Sequence, residues 1–478
     1  MKTAFSNLES FQIDLHHRVF VNRTLNLNSI KLIGFDMDYT LVIYHEKELE
    51  ALAFEGAVDV LVRERGYPEA IRSLKFSSEK IIRGLVADKK LGNLVKINRF
   101  GYIKAALHGD RFYTLEEQKR LYADEIVSLH SSRYEMAHTM FSLANCSLFC
   151  QLVDRAELGK SFEDLYNDIR ESLDQIHRDG SLKAKILKDP EKYIQLNPEY
   201  AATLQMLRDS GKKLALITNS EWSFTQEVMS FSFDRYLPAG QTWRDLFRVV
   251  VVDAAKPVFF TEEHKFFEVI PESGLLRNTG GKIREGAVYQ GGNSAAIEKL
   301  FGLSSSEILY VGDHIYSDVY QSKKNCRWRT MLVITELDEE LISSERGADL
   351  LEQIREWMCK KERRELELDQ VQKRRFLGTS WVAELAQLSD EEVLDRSARL
   401  KEEIMSLDQE IGRKVNAYNA LFNPYWGELL WAGNDKSHFS TIIERYACVY
   451  SSRVSNLLYY SASHYFRPPI NGPVSVSH

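Results

Sequence analysis

Four strand-length apolar runs in this 478-residue chain each stop on a polar cluster. "IKLIGF" runs into Asp36, "KKLALI" into Thr218, "FRVVVV" into Asp253 and "EILYVG" into Asp313. Runs that stay apolar at consecutive positions predict strands buried on both faces, as in a parallel sheet. Helical patterns lie between them: "SFTQEVMSFSF" after Ser220, and "NSAAIEKLFG" after Gly292, closed by a glycine. A fifth run, "TMLVITEL", follows the fourth. Alternating strands and helices predict an α/β fold built on a doubly wound, mainly parallel sheet. Ligands of such sheets bind at the carboxyl ends of the strands, where all four polar clusters fall.

The first cluster, "DMDYT", places Asp36 and Asp38 two residues apart at a semi-buried strand end, a costly position for two like charges. Phosphoryl transfer to a carboxylate has use for both. One Asp attacks phosphorus and forms an acyl-phosphate; the second gives a proton to the leaving alkoxide and later takes one from water. Hard oxygen ligands holding Mg²⁺ would screen the anionic group from its nucleophile. A lysine, a hydroxyl and amide donors would hold the remaining phosphate oxygens. Thr40 is expected to fix the loop through hydrogen bonds, and Asp253 to bond its neighbouring loop without a chemical role.

Composition is that of an ordinary soluble chain, 44% hydrophobic and 27% charged, with 10 prolines. No apolar run approaches the ~20 residues that span a bilayer. "MKTAFSNLESFQIDLHHR" lacks the apolar centre of a secretory signal, and five dispersed cysteines without a CxxC pair point to reduced thiols. A cytoplasmic location is therefore expected. The net charge of −7 gives no global reason to expect nucleic acid as partner, and no membrane partner is expected.

"DMDYT" (36–40), "LITNS" (216–220), "AKPVFF" (255–260) and "GDHIYSDV" (312–319) resemble, in order, the four motifs of haloacid-dehalogenase-superfamily phosphatases. Their wording is similar to that of the cytosolic purine 5'-nucleotidases that prefer IMP and GMP. The resemblance implies Asp36 as nucleophile, Asp38 as general acid/base and Lys256 as the cation neutralising phosphate and nucleophile. It implies Thr218, Asn219 and Ser220 as phosphate binders. Asp36, the backbone carbonyl of Asp38 and Asp313 would hold Mg²⁺, with Asp318 ligating through water or supporting the site. A second Asp at position 38 favours phosphatase or phosphotransferase chemistry over dehalogenation.

Residues 45–211 exceed any βα crossover, so a folded insertion is expected there. "TLEEQKRLYADEIVSLHSS" and "SFEDLYNDIRESLDQIHRDG" read as helices, which makes the insertion a mainly helical cap. The division expected is an arm over 1–20, core over 21–110, cap and nucleobase recognition over 111–185, core again over 186–345, and a helical extension over 346–478. Two long segments of that extension read as an antiparallel helical pair turning near Gly378. The extension is expected to pack on the core or on a partner subunit in a homo-oligomer.

Arg170, Asp174 and His177 share one helical face, at i, i+4 and i+7. By themselves they read first as a surface Arg–Asp pair with an incidental histidine. The family resemblance implies instead that they face the nucleobase, that Lys183 approaches the substrate and that Phe141 stacks on the base. It also implies an effector nucleotide contacting Tyr316 and Lys324. Purine nucleoside monophosphates are the expected ligands. Two other readings share the motifs: a phosphatase of another small phosphomonoester, and a catalytically silent nucleotide-binding scaffold.

Overall fold

A computed structural model describes residues 13–123 and 125–469. Most of the arm expected over 1–20 lies outside the described residues. The chain divides into two units, residues 1–338 with 429–478, and residues 339–428.

The first unit is organised by a ten-stranded sheet. Its order is Phe20–Val21, Val449–Ser451, Arg329–Val333, Ile308–Gly312, Leu32–Phe35, Lys213–Ile217, Val249–Val252, Ala287–Gly291, Phe266–Val269 and Leu276–Asn278. From Val449–Ser451 to Ala287–Gly291 every neighbouring pair is parallel; the strands beyond are antiparallel. All five apolar runs are strands of this sheet, as expected of a haloacid-dehalogenase-like doubly wound fold. Leu32–Phe35 is central, and the chain builds outward first on one side of it and then on the other. That reversal opens a crevice at its carboxyl end, the usual place for a ligand. Every residue of Leu32–Phe35, Val249–Val252 and Ile308–Gly312 is buried, so consecutive apolar residues do mark strands covered on both faces.

The insertion is less helical than expected. It contains a five-stranded antiparallel sheet in the order Arg111–Phe112, Ile103–His108, Asn93–Ile97, Val86–Asp88 and Tyr134–Met136, which straddles the expected boundary at residue 110. The helix expected to run on from Thr114 stops at Tyr122. The buried hydroxyl of Tyr122 donates to Asp88 (2.9 Å) and accepts from Asn93 (2.7 Å), and these sheet contacts outweigh the helical pattern that follows. The second expected helix is present as Phe162–Arg178, started by the Ser161 side chain accepting from the Asp164 N–H. Its Leu165, Tyr166, Ile169, Leu173 and Ile176 form the buried stripe, packed on the helix Glu46–Arg65.

The second unit is a helical hairpin. Ala348–Leu377 ends at left-handed Gly378 (φ 69°), and Asp390–Asn419 begins with a Ser389–Glu392 capping box. Lys361 pairs with Asp408 (2.6 Å) and Glu367 with Arg396 (2.6 Å), an antiparallel register as expected. Such exposed pairs contribute about 0–1 kcal/mol each. The hairpin is held chiefly by its apolar seams, Ile354–Tyr418–Phe422 and Val371–Leu385–Val393–Leu400. The unit ends at Glu428, short of the extension expected to the chain end, and Val449–Ser451 returns to the main sheet. Among the described residues no helix is long and apolar enough to cross a membrane.

One buried arginine fastens the insertion to the main sheet. Arg83, 1% exposed, donates from Nη1 to the Asp313 carbonyl (3.1 Å). It also makes a two-pronged pair with Glu336 (2.9 and 2.5 Å) beyond the strand Arg329–Val333. Arg83→Met should lower stability in urea by about 2–4 kcal/mol, because the partner acid keeps its charge and loses its cation. A loss under about 0.5 kcal/mol would show that water replaces the arginine at no cost.

Candidate active site

The site is built where Leu32–Phe35 ends. The Asp36 N–H still donates to Val311 (2.9 Å), extending the ladder by one residue. The chain then winds around the Met37 carbonyl, which accepts from the N–H groups of Thr40, Leu41 and Val42 (3.2, 2.9 and 2.9 Å). Tyr39 takes a positive φ of 54° inside that turn, a conformation costing of order 1 kcal/mol outside glycine. Thr40 differs from expectation: its backbone secures the turn, but its buried hydroxyl has no partner among the described residues.

Lys256 draws the other strand ends to Asp36. Its ammonium lies 2.7 Å from Asp36 Oδ1 and 2.8 Å from Asp318 Oδ1, and donates to the Tyr310 hydroxyl at 3.1 Å. Burial opposes that charge, yet Asp318 and Asp36 together hold the ammonium well above the usual lysine range. Its backbone is clamped by Asn219, whose side chain accepts from the Lys256 N–H (2.6 Å) and donates to its carbonyl (3.0 Å). The Asn219 side chain thus holds the lysine loop in place through its oxygen and one of its N–H groups. Thr218 and Ser220 line the same strand end, with Thr218 Oγ1 accepting from the Ser220 N–H (3.1 Å). The Asp253 N–H donates to the Ser220 carbonyl (3.0 Å), matching its expected loop role.

Asp38 points to the other side of the turn. Tyr44 donates to its Oδ1 (2.5 Å) and Ser220 to its Oδ2 (2.9 Å). Burial and then Asp36 raise the Asp38 carboxyl, against Tyr44, Ser220 and Lys183, which favours the protonated form an acid needs. Asp36 is pushed up to about 7, first by burial, with Lys256 opposing and Asp318 adding to the rise. Asp313 is raised well above the carboxylate range by burial and by Asp36 and Asp318, against Arg83 and Lys256.

Asp36, Asp313 and Asp318 each offer an oxygen within 4.8 Å of the others. Three hard carboxylates facing one ammonium suit a divalent cation such as Mg²⁺ by donor type and by charge. Gly312 permits the arrangement: a Cβ there would lie 2.4 Å from the Asp318 carboxylate.

The insertion supplies the outer wall. Phe141, Asp174, His177 and Arg178 line a cavity of about 450 Å³. Phe141 meets His177 edge to face (5.2 Å between ring centres), and burial first, then Lys183, lowers that imidazole to about 4. Arg170 lies farther along the helix, 43% exposed and 3.5 Å from Glu135. Lys183 forms an ion pair with Glu221 at the start of the helix Trp222–Phe233. Tyr316 and Lys324 come together around Tyr320: the rings of Tyr316 and Tyr320 stack at 5.3 Å, and Lys324 donates to the Tyr320 hydroxyl (2.8 Å).

Tyr44, Tyr310, Glu221 and Arg83 touch expected site residues without having been anticipated. Only Tyr310 left a local trace, as the one polar-tipped residue inside "EILYVG".

A sequence model of the 5'-nucleotidase family matches residues 19–473. The chain is 30% identical over 471 aligned residues to human 5'-nucleotidase domain-containing protein 2, covering 94% of this chain and 83% of the human protein. Among solved structures it is similar to a predicted phosphoglycolate phosphatase from Haemophilus somnus 129PT (16% identity, TM-score 0.29, 64% of this chain and 85% of that one). Another is the archaeal β-phosphoglucomutase from Pyrococcus sp. strain ST 04 (11% identity, TM-score 0.30, 63% and 86%).

The raised carboxyls give the acidic cluster a pH signature. With its folded pKa above the unfolded value, Asp36 destabilises the metal-free protein increasingly as pH rises from about 4 through about 7. A cation must displace those protons, so its affinity should climb over the same window. The rise in melting temperature on adding Mg²⁺ should therefore be larger at about pH 7.5 than at about pH 5.5, and Asp313→Asn should remove it. An equal rise at both pH values, or one surviving in Asp313→Asn, contradicts this account.

Proposed function

The chain belongs to the 5'-nucleotidase family, and on that premise we propose that it hydrolyses purine nucleoside 5'-monophosphates, IMP and GMP, through an aspartyl-phosphate. It is a phosphoric monoester hydrolase. The observation that supports the aspartyl-phosphate route is the buried ammonium of Lys256, held between Asp36 and Asp318 beside an Asp38 hydrogen-bonded by Ser220.

Asp36 attacks phosphorus, the bond from phosphorus to the 5'-oxygen breaks, and Asp38 gives its proton to that oxygen. Asp38 then takes a proton from the water that attacks the acyl-phosphate, releasing phosphate and restoring Asp36. Tyr44 and Ser220 hold the Asp38 carboxyl in place for both transfers. Lys256 neutralises the nucleophile's side of the phosphoryl group. A Mg²⁺ ion held by Asp36, Asp313 and the Asp38 carbonyl, with Asp318 in support, would supply the charge that lets an anion approach a carboxylate. Passing the phosphoryl group to a nucleoside instead of water would give phosphotransfer by the same residues. A homo-oligomer in the cytoplasm, with a nucleotide effector at Tyr316 and Lys324, completes the proposal; the exposed ring of Tyr316 supports that effector contact.

A phosphate-release screen over nucleoside monophosphates tests the reading, with Asp36→Asn as the blank. IMP and GMP should be hydrolysed in preference to AMP, and the blank should lose a factor on the order of 10³ or more. Release from the blank at the wild-type rate, or from no nucleotide at all, would refute it.

Specificity is proposed to come from Arg170 donating to O6 or N7 of the purine and Asp174 accepting from N1–H. AMP offers an acceptor at N1 and an amine at C6, leaving both groups mismatched. Asp174→Ala should cut the IMP-over-AMP ratio of kcat/KM at least about tenfold; an unchanged ratio removes this account.

A further inference from the structure

Glu50 is a buried carboxyl that the mechanism above does not use. It sits on the helix Glu46–Arg65, 0% exposed, without a cationic partner among the described residues. Oε1 accepts from the Tyr39 hydroxyl (3.2 Å) in the catalytic turn, and Oε2 accepts from the Ala144 N–H (3.2 Å) at the start of the helix Leu143–Leu152. The turn Met140–Ser142 leads directly into that helix and carries Phe141. The circuit closes through the rings: Phe141 meets Tyr39 edge to face at 5.0 Å, and His177 at 5.2 Å on its other side. Burial first, then repulsion from Glu46, pushes Glu50 up to about 8, with Tyr39 and Ala144 opposing. The group is therefore chiefly a neutral acid at neutral pH; its Oε1–H then donates to the Tyr39 oxygen while Oε2 still accepts from Ala144, so that no counter-ion is needed.

We propose that Glu50 is a positioning residue for the nucleobase: it ties the catalytic turn to the start of the helix Leu143–Leu152, just after Phe141, and so sets the distance between the stacking ring and the reacting aspartates. The inference deepens the nucleotidase reading and rests on it. Tyr39 holds a backbone conformation that persists only where its surroundings over-determine it, and its hydroxyl bond to Glu50 is one such constraint. Loss of Glu50 frees Phe141 relative to Asp36 and Asp38, which weakens binding of a substrate that must fill both places. A phosphomonoester without a purine fills only one.

Three variants test this: Glu50→Leu, which keeps the volume and removes both hydrogen bonds; Glu50→Gln, the neutral isostere; and Tyr39→Phe, which removes one bond without touching the helix. KM and kcat are measured with IMP and with p-nitrophenyl phosphate. Glu50→Leu should raise KM for IMP at least about tenfold while kcat/KM for the aryl ester changes by less than about threefold. Tyr39→Phe should show the same split in smaller measure, and keeps the test in hand should Glu50→Leu not fold. Glu50→Gln should rescue, because its carbonyl accepts from Ala144 and its amide donates to the Tyr39 oxygen. Equal losses on both substrates, or a Gln variant as poor as Leu, would overturn the proposal. A wild-type preference for IMP that survives Glu50→Leu overturns the Glu50 role alone. A wild-type enzyme without that preference overturns the nucleotidase reading, and the Glu50 role with it.

Discussion

The ammonium of Lys256 is where the main sheet and the chemistry meet. It rises from the loop after Val249–Val252 to bind Asp36, just past Leu32–Phe35, and Asp318, in the short helix Ile315–Tyr320 that follows Ile308–Gly312. The loop after Lys213–Ile217 joins through Asn219, which grips the lysine backbone from both sides. Four strand ends thus converge on one charge. Removing a partner from such a buried pair costs about 3–5 kcal/mol, a large part of the 5–15 kcal/mol by which a domain is stable. The arrangement is over-determined, and it can bear like charges that would unfold a looser site.

Those like charges are the functional residue of the design. Asp36, Asp313 and Asp318 outnumber the lysine, and burial first, then this imbalance, raises the Asp36 and Asp313 carboxyls. Arg83 gives Asp313 only partial relief, since its guanidinium is also shared with Glu336. A site left short of positive charge in this way is matched to an anionic substrate only when a cation accompanies it. The same shortage explains why Asp38 is held on its far side by two hydroxyls, from Tyr44 and Ser220. Neutral donors fix the acid while lowering its proton affinity less than a second lysine beside it would.

How much of this could be read from the sequence depended on whether a residue's environment is set locally. The strands of the main sheet are apolar on both faces, so their runs announced them, and the polar cluster after each located the site. The sheet within the insertion gave no such signal. Its strands bury Asp88, Asn93 and Lys96, and Asp88 is reconciled by Arg133 (2.7 Å) and Tyr122 (2.9 Å) from distant segments. Polar residues matched across the fold look like loop residues when read in order. Arg83 and Glu50 were invisible for the same reason, each an ordinary charge whose burial is decided by partners far along the chain. Thr40 erred the other way: its motif position suggested a bonded hydroxyl, whereas the turn is closed by its backbone.

The two halves of the site also differ in how firmly the protein alone holds them. Lys256 is 2% exposed along its side chain and Asp318 is 0% exposed, each fixed by protein partners. On the recognition side Arg170 stays 43% exposed with one loose acidic neighbour, and Asp174 faces the cavity from the exposed side of its helix. Groups that must stabilise developing charge gain from being fixed before the substrate arrives. Groups that discriminate bases gain most from being completed by the ligand, since a wrong base then leaves them unpaired at full cost. On the proposed reading the chemistry lies in short, rigid motifs, and the choice of substrate in side chains spaced along a helix whose meaning depends on what docks against it. Contacts such as those of Glu50, which join the rigid half to the adaptable one, decide whether the two act on the same molecule.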